Sequence, residues 1–159
     1  MVKNIVLCVV RQGDQILLGL KKRRIGEGFL TVPGGKREGE ESPEETARRE
    51  LREECGIEAL ECKNVGSLRV SFVGDPTVWE ETIMLVSSFS GEIAETEELR
   101  SEWFPIERIP YEKLWVDNEI WIPMALDGKK FEGTILFSGK KLFHPRDEMV
   151  ETKIVDKLF

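Results

Sequence analysis

Residues 34–57, GGKREGEESPEETARRELREECGI, crowd glutamates into a segment whose central part has the pattern of a helix. Like charges one turn apart repel, so the fold must either expose these acids to water or supply them with cations. Local signals set the limits of the helix. Ser42 is a good N-cap, Pro43 suits the first helical position, and Glu45 stands where a capping box needs its acid. Gly56 can take the left-handed conformation that ends a helix, which predicts about three turns. With residues roughly 100° apart, Ala47, Leu51 and Cys55 form a narrow apolar stripe with Glu50 and Glu54 along its edge. Arg48 and Arg52 fall on the far side, and Arg49, four residues before Glu53, is placed to pair with it.

An ordinary solvated face accounts for Glu44 and Glu45. It accounts poorly for Glu50 and Glu54, because carboxylates beside a buried stripe lose water, resist ionisation and repel one another unless a cation is supplied. A hard divalent ion such as Mg²⁺ prefers carboxylate oxygens and usually keeps waters of its own. On the helix alone, the metal reading and the solvated-face reading both stay open.

The remainder of the chain bounds the answer. Its 159 residues, 40% hydrophobic and 33% charged, suit one domain spanning 1–159 with one substantial core. The opening MVKNIVLCVV is too short for a signal peptide and is soon broken by RQGDQ, and no apolar run approaches membrane-spanning length. A soluble, cytoplasmic protein with reduced Cys8, Cys55 and Cys62 is expected. His144 is the only histidine, which argues against a zinc site and leaves it as a polar loop residue. The net charge of -7 disfavours sequence-independent binding to polymeric nucleic acid. A small anionic partner suits this balance if a cation accompanies it.

NIVLCVV and QILLGLKK read as strands joined through Gly13-Asp14, followed by a Gly-rich loop with a short strand near Phe29 to Val32. VGSLRVSFVGDPTVWEETIMLVSSFSG reads as two long strands hinged at Gly74-Asp75-Pro76, with alternation in Leu68, Val70, Phe72 and again in Ile83, Leu85. SEWFPIERIPYEKL predicts a strand and a turn, DNEIWIPMAL a short helix, and KFEGTILFSG a last strand. The tail FHPRDEMVETKIVDKLF is expected to pack on the sheet or to fray in part. A mixed α/β sandwich follows from this order of elements.

Gly35, Glu41, Arg49-Glu50-Leu51, Glu53-Glu54 and Gly56-Ile57 match, type for type and at fixed spacing, the motif of the Nudix family. The chain therefore resembles a Nudix hydrolase. That resemblance implies an α/β/α sandwich around a central mixed β-sheet, Mg²⁺ or Mn²⁺ as cofactor, and hydrolysis of a nucleoside diphosphate linked to another group. It implies that Glu50, Glu53 and Glu54 are the catalytic acids, with Glu50 and Glu54 the principal metal ligands, Glu53 a ligand to the metal directly or through water or else the general base, and Arg49 orienting Glu53. A backbone carbonyl at Gly34 or Gly35 is a further implied metal contact, although the Gly pair taken alone reads equally as a tight turn.

From about Ile5 to Gly139 the pieces LLGLKKR, GEGFLTVPGGK, SFVGDP, EELRSEWF and IPYEKLWVDNEIW resemble the MutT-like branch that acts on oxidised purine nucleoside triphosphates. By that resemblance Glu98 is a fourth acid at the metal, as ligand or base. A pocket for the base is implied at Lys21, Thr31, Phe72, Trp115, Asp117 and Asn118, whereas Trp121 suits the core. A monomer and a nucleoside triphosphate partner are implied as well. Thr31 and Asn118 depart from the branch, which has Asn and a second acid there. Asn cannot lose its donor pair as an acid can change its role, so a narrower or shifted base preference is expected. The intact box acids favour an enzyme over a nucleotide-binding module without turnover. Within the enzymes, ordinary dNTPs, ADP-ribose and dinucleoside polyphosphates are the competing substrates.

Overall fold

The computed structural model describes residues 1–157. Strands β1 (Val2–Gln12) and β2 (Gln15–Lys21) form an antiparallel hairpin around Gly13-Asp14, as the apolar runs predict. β3 (Leu30–Thr31) and β4 (Gly34–Lys36) follow, then helix α1 (Pro43–Cys55). Next come β5 (Glu58–Phe72), β6 (Val78–Ser90) and β7 (Leu99–Pro105). Two short 3₁₀ turns lead to α2 (Asn118–Leu126), β8 (Phe131–Phe137) and β9 (Met149–Asp156). The strands join in the order β3-β2-β1-β6-β5-β8-β9, with β4 also pairing with β1 and β7 with β2.

This sheet is mixed. β1 runs parallel to β6 from Val2↔Val78 to Val10↔Val86, and β5 runs parallel to β8, whereas β5 and β6 are antiparallel. Side chains alternate across a strand, so one sheet feeds two cores. Val6, Cys8 and Val10 of β1 point to one side, where they pack with Ala47, Leu51 and Cys55, the predicted stripe of α1. Val9 points to the other side, with Leu68, Val70, Phe72 and Ile83, beneath Trp121, Ile122 and Ala125 of α2. The result is a helix on each face of a central mixed sheet. Trp121 is fully buried, its ring stacked 6.4 Å from that of Phe131.

The caps of α1 follow its local chemistry. The Ser42 hydroxyl accepts the Glu45 N–H, the Glu45 carboxylate accepts the Ser42 N–H, and Gly56 sits at φ 75°. Two features depend on distant pairing instead. Gly34-Gly35 is not a tight turn: it is extended backbone in β4, with Val6↔Gly35 and Leu7↔Gly34 in register on β1. The tail becomes an edge strand, β9 lying antiparallel on β8, while Leu158 and Phe159 fall outside the described residues. Among the described residues no helix is long and apolar enough to cross a membrane.

Candidate active site

Burying Ala47, Leu51 and Cys55 against the sheet turns the Glu50 and Glu54 edge of α1 toward β4. Glu54 is 5% exposed, and its Oε1 accepts the Gly34 N–H at 2.8 Å. Burial pushes its carboxyl up to about 8; the Gly34 bond and the charge of Lys21 act against this, and repulsion from Glu50 and Glu98 adds to it. Burial likewise raises Glu50, opposed by Arg49. Arg49 organises the exposed side of the cluster. Its guanidinium donates to Glu41 Oε2 at 2.7 Å, Glu50 Oε1 at 2.9 Å, Glu53 Oε2 at 3.1 Å and the Lys36 carbonyl at 3.0 Å. Glu41 is thereby held at about 2, its bond to Arg49 being the main cause.

β4 is shaped to admit these acids. A side chain at Gly34 would collide with the Val6 carbonyl oxygen, and a Cβ at Gly35 would lie 2.5 Å from the Glu50 carboxylate. Both glycines are therefore needed for close approach. Gly35→Ala is expected to shift the melting temperature little but to cut turnover about 100-fold, since a misplacement of roughly 1 Å costs that much. Thermal melts alongside steady-state rates check this. An equally active Gly35→Ala protein would show that the position of Glu50 is immaterial.

A cavity of about 500 Å³ opens beside this cluster. Lys21, Thr31, Gly34, Gly35, Glu54, Trp115, Asp117 and Asn118 all line it, so eight residues proposed from sequence share one wall. Asp117 and Asn118 are 5% and 3% exposed at the start of α2. Asp117 Oδ2 accepts the Trp121 indole N–H at 2.7 Å, and burial raises its carboxyl. The Trp115 ring meets Trp79 edge-on at 5.9 Å. The Thr31 hydroxyl donates to the Val32 carbonyl at 3.0 Å, which leaves it as an acceptor toward the cavity.

Other residues proposed from sequence stand elsewhere. Phe72 is not in the wall. It points into the core and stacks on Phe137 at 5.1 Å, and it meets Trp79 edge-on at 5.4 Å; Phe137 and Trp79 line the cavity in its place. Glu53 is mostly exposed on the outer side of Arg49. Glu98 lies outside the wall, where Arg23 Nε donates to it at 2.8 Å and Lys21 Nζ stands 4.0 Å away. The bond to Arg23 holds its carboxyl below the usual range. Its loop is docked on α1, with the Thr96 hydroxyl donating to the Glu54 carbonyl at 3.0 Å.

The cavity also contains Lys3, Arg24, Lys36, Trp79 and Glu81, none of which the motif reading singled out. A signal existed for Glu81. Extending the Ile83, Leu85 alternation back by two places turns position 81 inward, where an acid is out of pattern.

Among the described residues no three acids are gathered into a metal-ligand cluster. The donor set nevertheless fits a hard divalent cation. Glu50 and Glu54 are carboxylates lifted by burial, Glu50 raises Glu54 further, and β4 brings peptide groups against both.

The model of the NUDIX domain matches residues 1–124. Over 149 residues the chain is 36% identical to a Danio rerio protein named oxidized purine nucleoside triphosphate hydrolase, covering 92% of this chain and 96% of that one. A Mus musculus protein of the same name is 38% identical over 131 residues, 82% of this chain and 84% of its own length. The crystal structure of a MutT protein from Bacillus halodurans superposes with a TM-score of 0.79 at 25% identity, covering 96% of this chain and 97% of the other. On the length and identity of these matches, the chain belongs to the Nudix hydrolase family.

Proposed function

We propose that this protein hydrolyses oxidised purine nucleoside triphosphates, such as 8-oxo-dGTP or 2-oxo-dATP, to the monophosphate and pyrophosphate with Mg²⁺, and so clears damaged nucleotides from the pool. One observation supports this most: a single cavity of nucleotide size runs from the Glu54 carboxylate to a slot bearing Trp115, Asp117 and Asn118. The relatives named for that activity point the same way.

Nudix hydrolases generally use divalent metal ions. When bound, such an ion neutralises phosphate oxygens and acidifies the attacking water. In this chain Glu50, Glu54 and a peptide carbonyl of Gly34 or Gly35 are the groups to hold it. Glu98 would join them as a third acid once phosphates compete for Arg23. Lys21, Arg24 and Lys36 line the cavity and meet the remaining phosphate charge. Arg49 bridges Glu50 and Glu53 and so holds the two carboxylates in register, and the acid to receive the water's proton is Glu53 or Glu98. Trp115 offers its face to the base, and stacking of this kind contributes about 1–3 kcal/mol. Asp117 and Asn118 read the edge of the base, and a wrong partner leaves these buried groups unpaired.

Steady-state rates over 8-oxo-dGTP, 2-oxo-dATP, dGTP, dATP and ADP-ribose, with products identified, test the proposal. At least one oxidised base is expected to exceed its normal counterpart in kcat/KM by about tenfold, the equivalent of about 1.4 kcal/mol, and to yield pyrophosphate. Equal rates on oxidised and normal bases, or faster cleavage of ADP-ribose, would remove it.

A further inference from the structure

β8 and β9 are antiparallel neighbours, which a turn of about two to five residues can join. The chain instead uses eleven, residues 138–148, for the link. The two ends of this link are tied together. The Ser138 N–H donates to the Glu148 carbonyl at 2.7 Å, and Asp147, 1% exposed, accepts the Gly139 N–H at 2.9 Å, the Glu148 N–H at 2.8 Å and the Ser138 hydroxyl. Between the ends runs a strap that packs behind the Trp115 end of the cavity, and among the described residues none of 138–148 lines the cavity itself.

The strap holds two walls of the slot that are distant in sequence. On one side it brackets Trp115: Arg146 Nη1 donates to the Leu114 carbonyl at 2.9 Å and to the Tyr111 carbonyl at 3.1 Å, and the Pro145 carbonyl accepts the Val116 N–H at 3.0 Å. The residues before and after Trp115 are thus both fixed from outside. On the other side His144 meets Phe29 edge-on at 5.1 Å, and a Cβ at Gly26 would lie 3.9 Å from Pro145 Cγ and 3.8 Å from the Trp115 indole nitrogen. Between these contacts Phe143 stacks on the wall residue Trp79 at 5.4 Å. It does so at φ 58°, a left-handed backbone that bulky side chains rarely adopt. Strain of this kind persists only where surrounding contacts enforce it, and it gathers at ligand clamps. A gap of about 0.5–1 Å forfeits roughly a quarter to a half of a dispersion contact, so the spacing of these walls governs how firmly a flat base is gripped.

We propose that residues 138–148 form a clamp that sets the width of the base slot, with Arg146 and His144 as positioning residues, one for each wall, so that base selectivity is governed by side chains that never touch the substrate. This deepens the nucleotide reading above and rests on it. Arg146 acts through the backbone on either side of Trp115, and His144 acts through Phe29 on the stretch that carries Gly26, Leu30 and Thr31 along the cavity.

Arg146→Ala and His144→Ala test the clamp, with Arg11→Ala as a matched control. Arg11 Nη1 donates to the Leu126 carbonyl at 3.0 Å and so ties down the other end of α2, away from the cavity. In both strap variants KM for the favoured oxidised triphosphate is expected to rise fivefold or more with kcat within threefold. The kcat/KM preference for that base over its unmodified counterpart is expected to fall threefold or more, because a loosened slot loses fit. Arg11→Ala is expected to change KM less than fivefold and the preference less than threefold. A smaller change in either folded strap variant, a loss confined to kcat, or changes of that size in Arg11→Ala as well overturn the proposal. If one strap variant does not fold, the other carries the test. Calorimetric titration of 8-oxo-dGMP and 2-oxo-dAMP into parent and variants separates this from the activity assignment. If the parent cleaves neither triphosphate but binds the monophosphates, the proposed activity falls and the clamp is judged by a fivefold rise in Kd. If the parent binds neither, both fall.

Discussion

Glu54→Gln is expected to lower pyrophosphate release from the preferred triphosphate about 10³-fold, while the protein stays folded and melts no lower than the parent at pH 8.5. The substitution is nearly isosteric, and the amide oxygen can still accept the Gly34 N–H that Glu54 now accepts at 2.8 Å. What disappears is negative charge at a site where burial has already lifted the carboxyl to about 8. Groups that stabilise the charge of a transition state lose on the order of 10²–10³ in rate when removed singly, and a metal-holding acid belongs at the upper end. Because the lost charge was poorly solvated, the fold gains by its removal even as the chemistry fails. Equal rates in parent and variant would end the catalytic assignment, and a variant that melts well below the parent would show that Glu54 serves the fold.

Raising the pH from about 5 to 9 is expected to destabilise the metal-free protein, and Mg²⁺ is expected to restore more stability at pH 8.5 than at pH 6. In the unfolded chain Glu54 titrates near its ordinary value of 4.5, whereas in the folded protein it does so at about 8. Between those values the native state holds a proton that the unfolded state has released, so unfolding becomes easier as the pH rises. The stability present below 4.5 is lost progressively and is gone once the pH passes 8. At about 1.4 kcal/mol per pKa unit this amounts to roughly 5 kcal/mol. Glu50 is shifted in the same direction. Glu41 acts oppositely and in a separate window, since Arg49 stabilises its charged form and that contribution is lost only as the pH falls toward 2. A divalent ion displaces the proton, so its binding should strengthen with pH and release protons into weakly buffered solution. Melting curves from pH 5.5 to 8.5, with and without Mg²⁺, check the sign. Glu81 and Asp117, both raised by burial, add slopes of the same sign, so the Glu54 contribution is read as the difference between parent and Glu54→Gln. An identical slope in the two proteins would contradict it.

Helix α1 was legible because its determinants are local. Ser42, Pro43, Glu45 and Gly56 satisfy or end backbone hydrogen bonding within a turn of themselves. The Ala47, Leu51, Cys55 stripe then decides which face turns inward, and Glu50 and Glu54 follow by geometry. Trp115, Asp117 and Asn118 were recovered by resemblance to a family, and they do line one cavity with Glu54. Phe72 was misplaced because alternation shows that a side chain points inward but not how deep it lies. With Phe137 and Trp79 packed against it, it is one layer behind the wall.

By itself, the sequence determined the order of β1 to β3, α1, β5 to β7, α2 and β8, the caps of α1, the acids it carries and the family to which the chain belongs, all of which depend on near neighbours or on fixed spacing. Only the tertiary structure decided that Gly34 and Gly35 lie extended against Val6 and Leu7, that Glu98 pairs with Arg23 outside the cavity wall, and that Glu81 of β6 lines the same cavity as Asp117. Each of these joins residues far apart in the chain. Their contact depends on which strands pair and in what register, and no local pattern of charge or hydrophobicity encodes that.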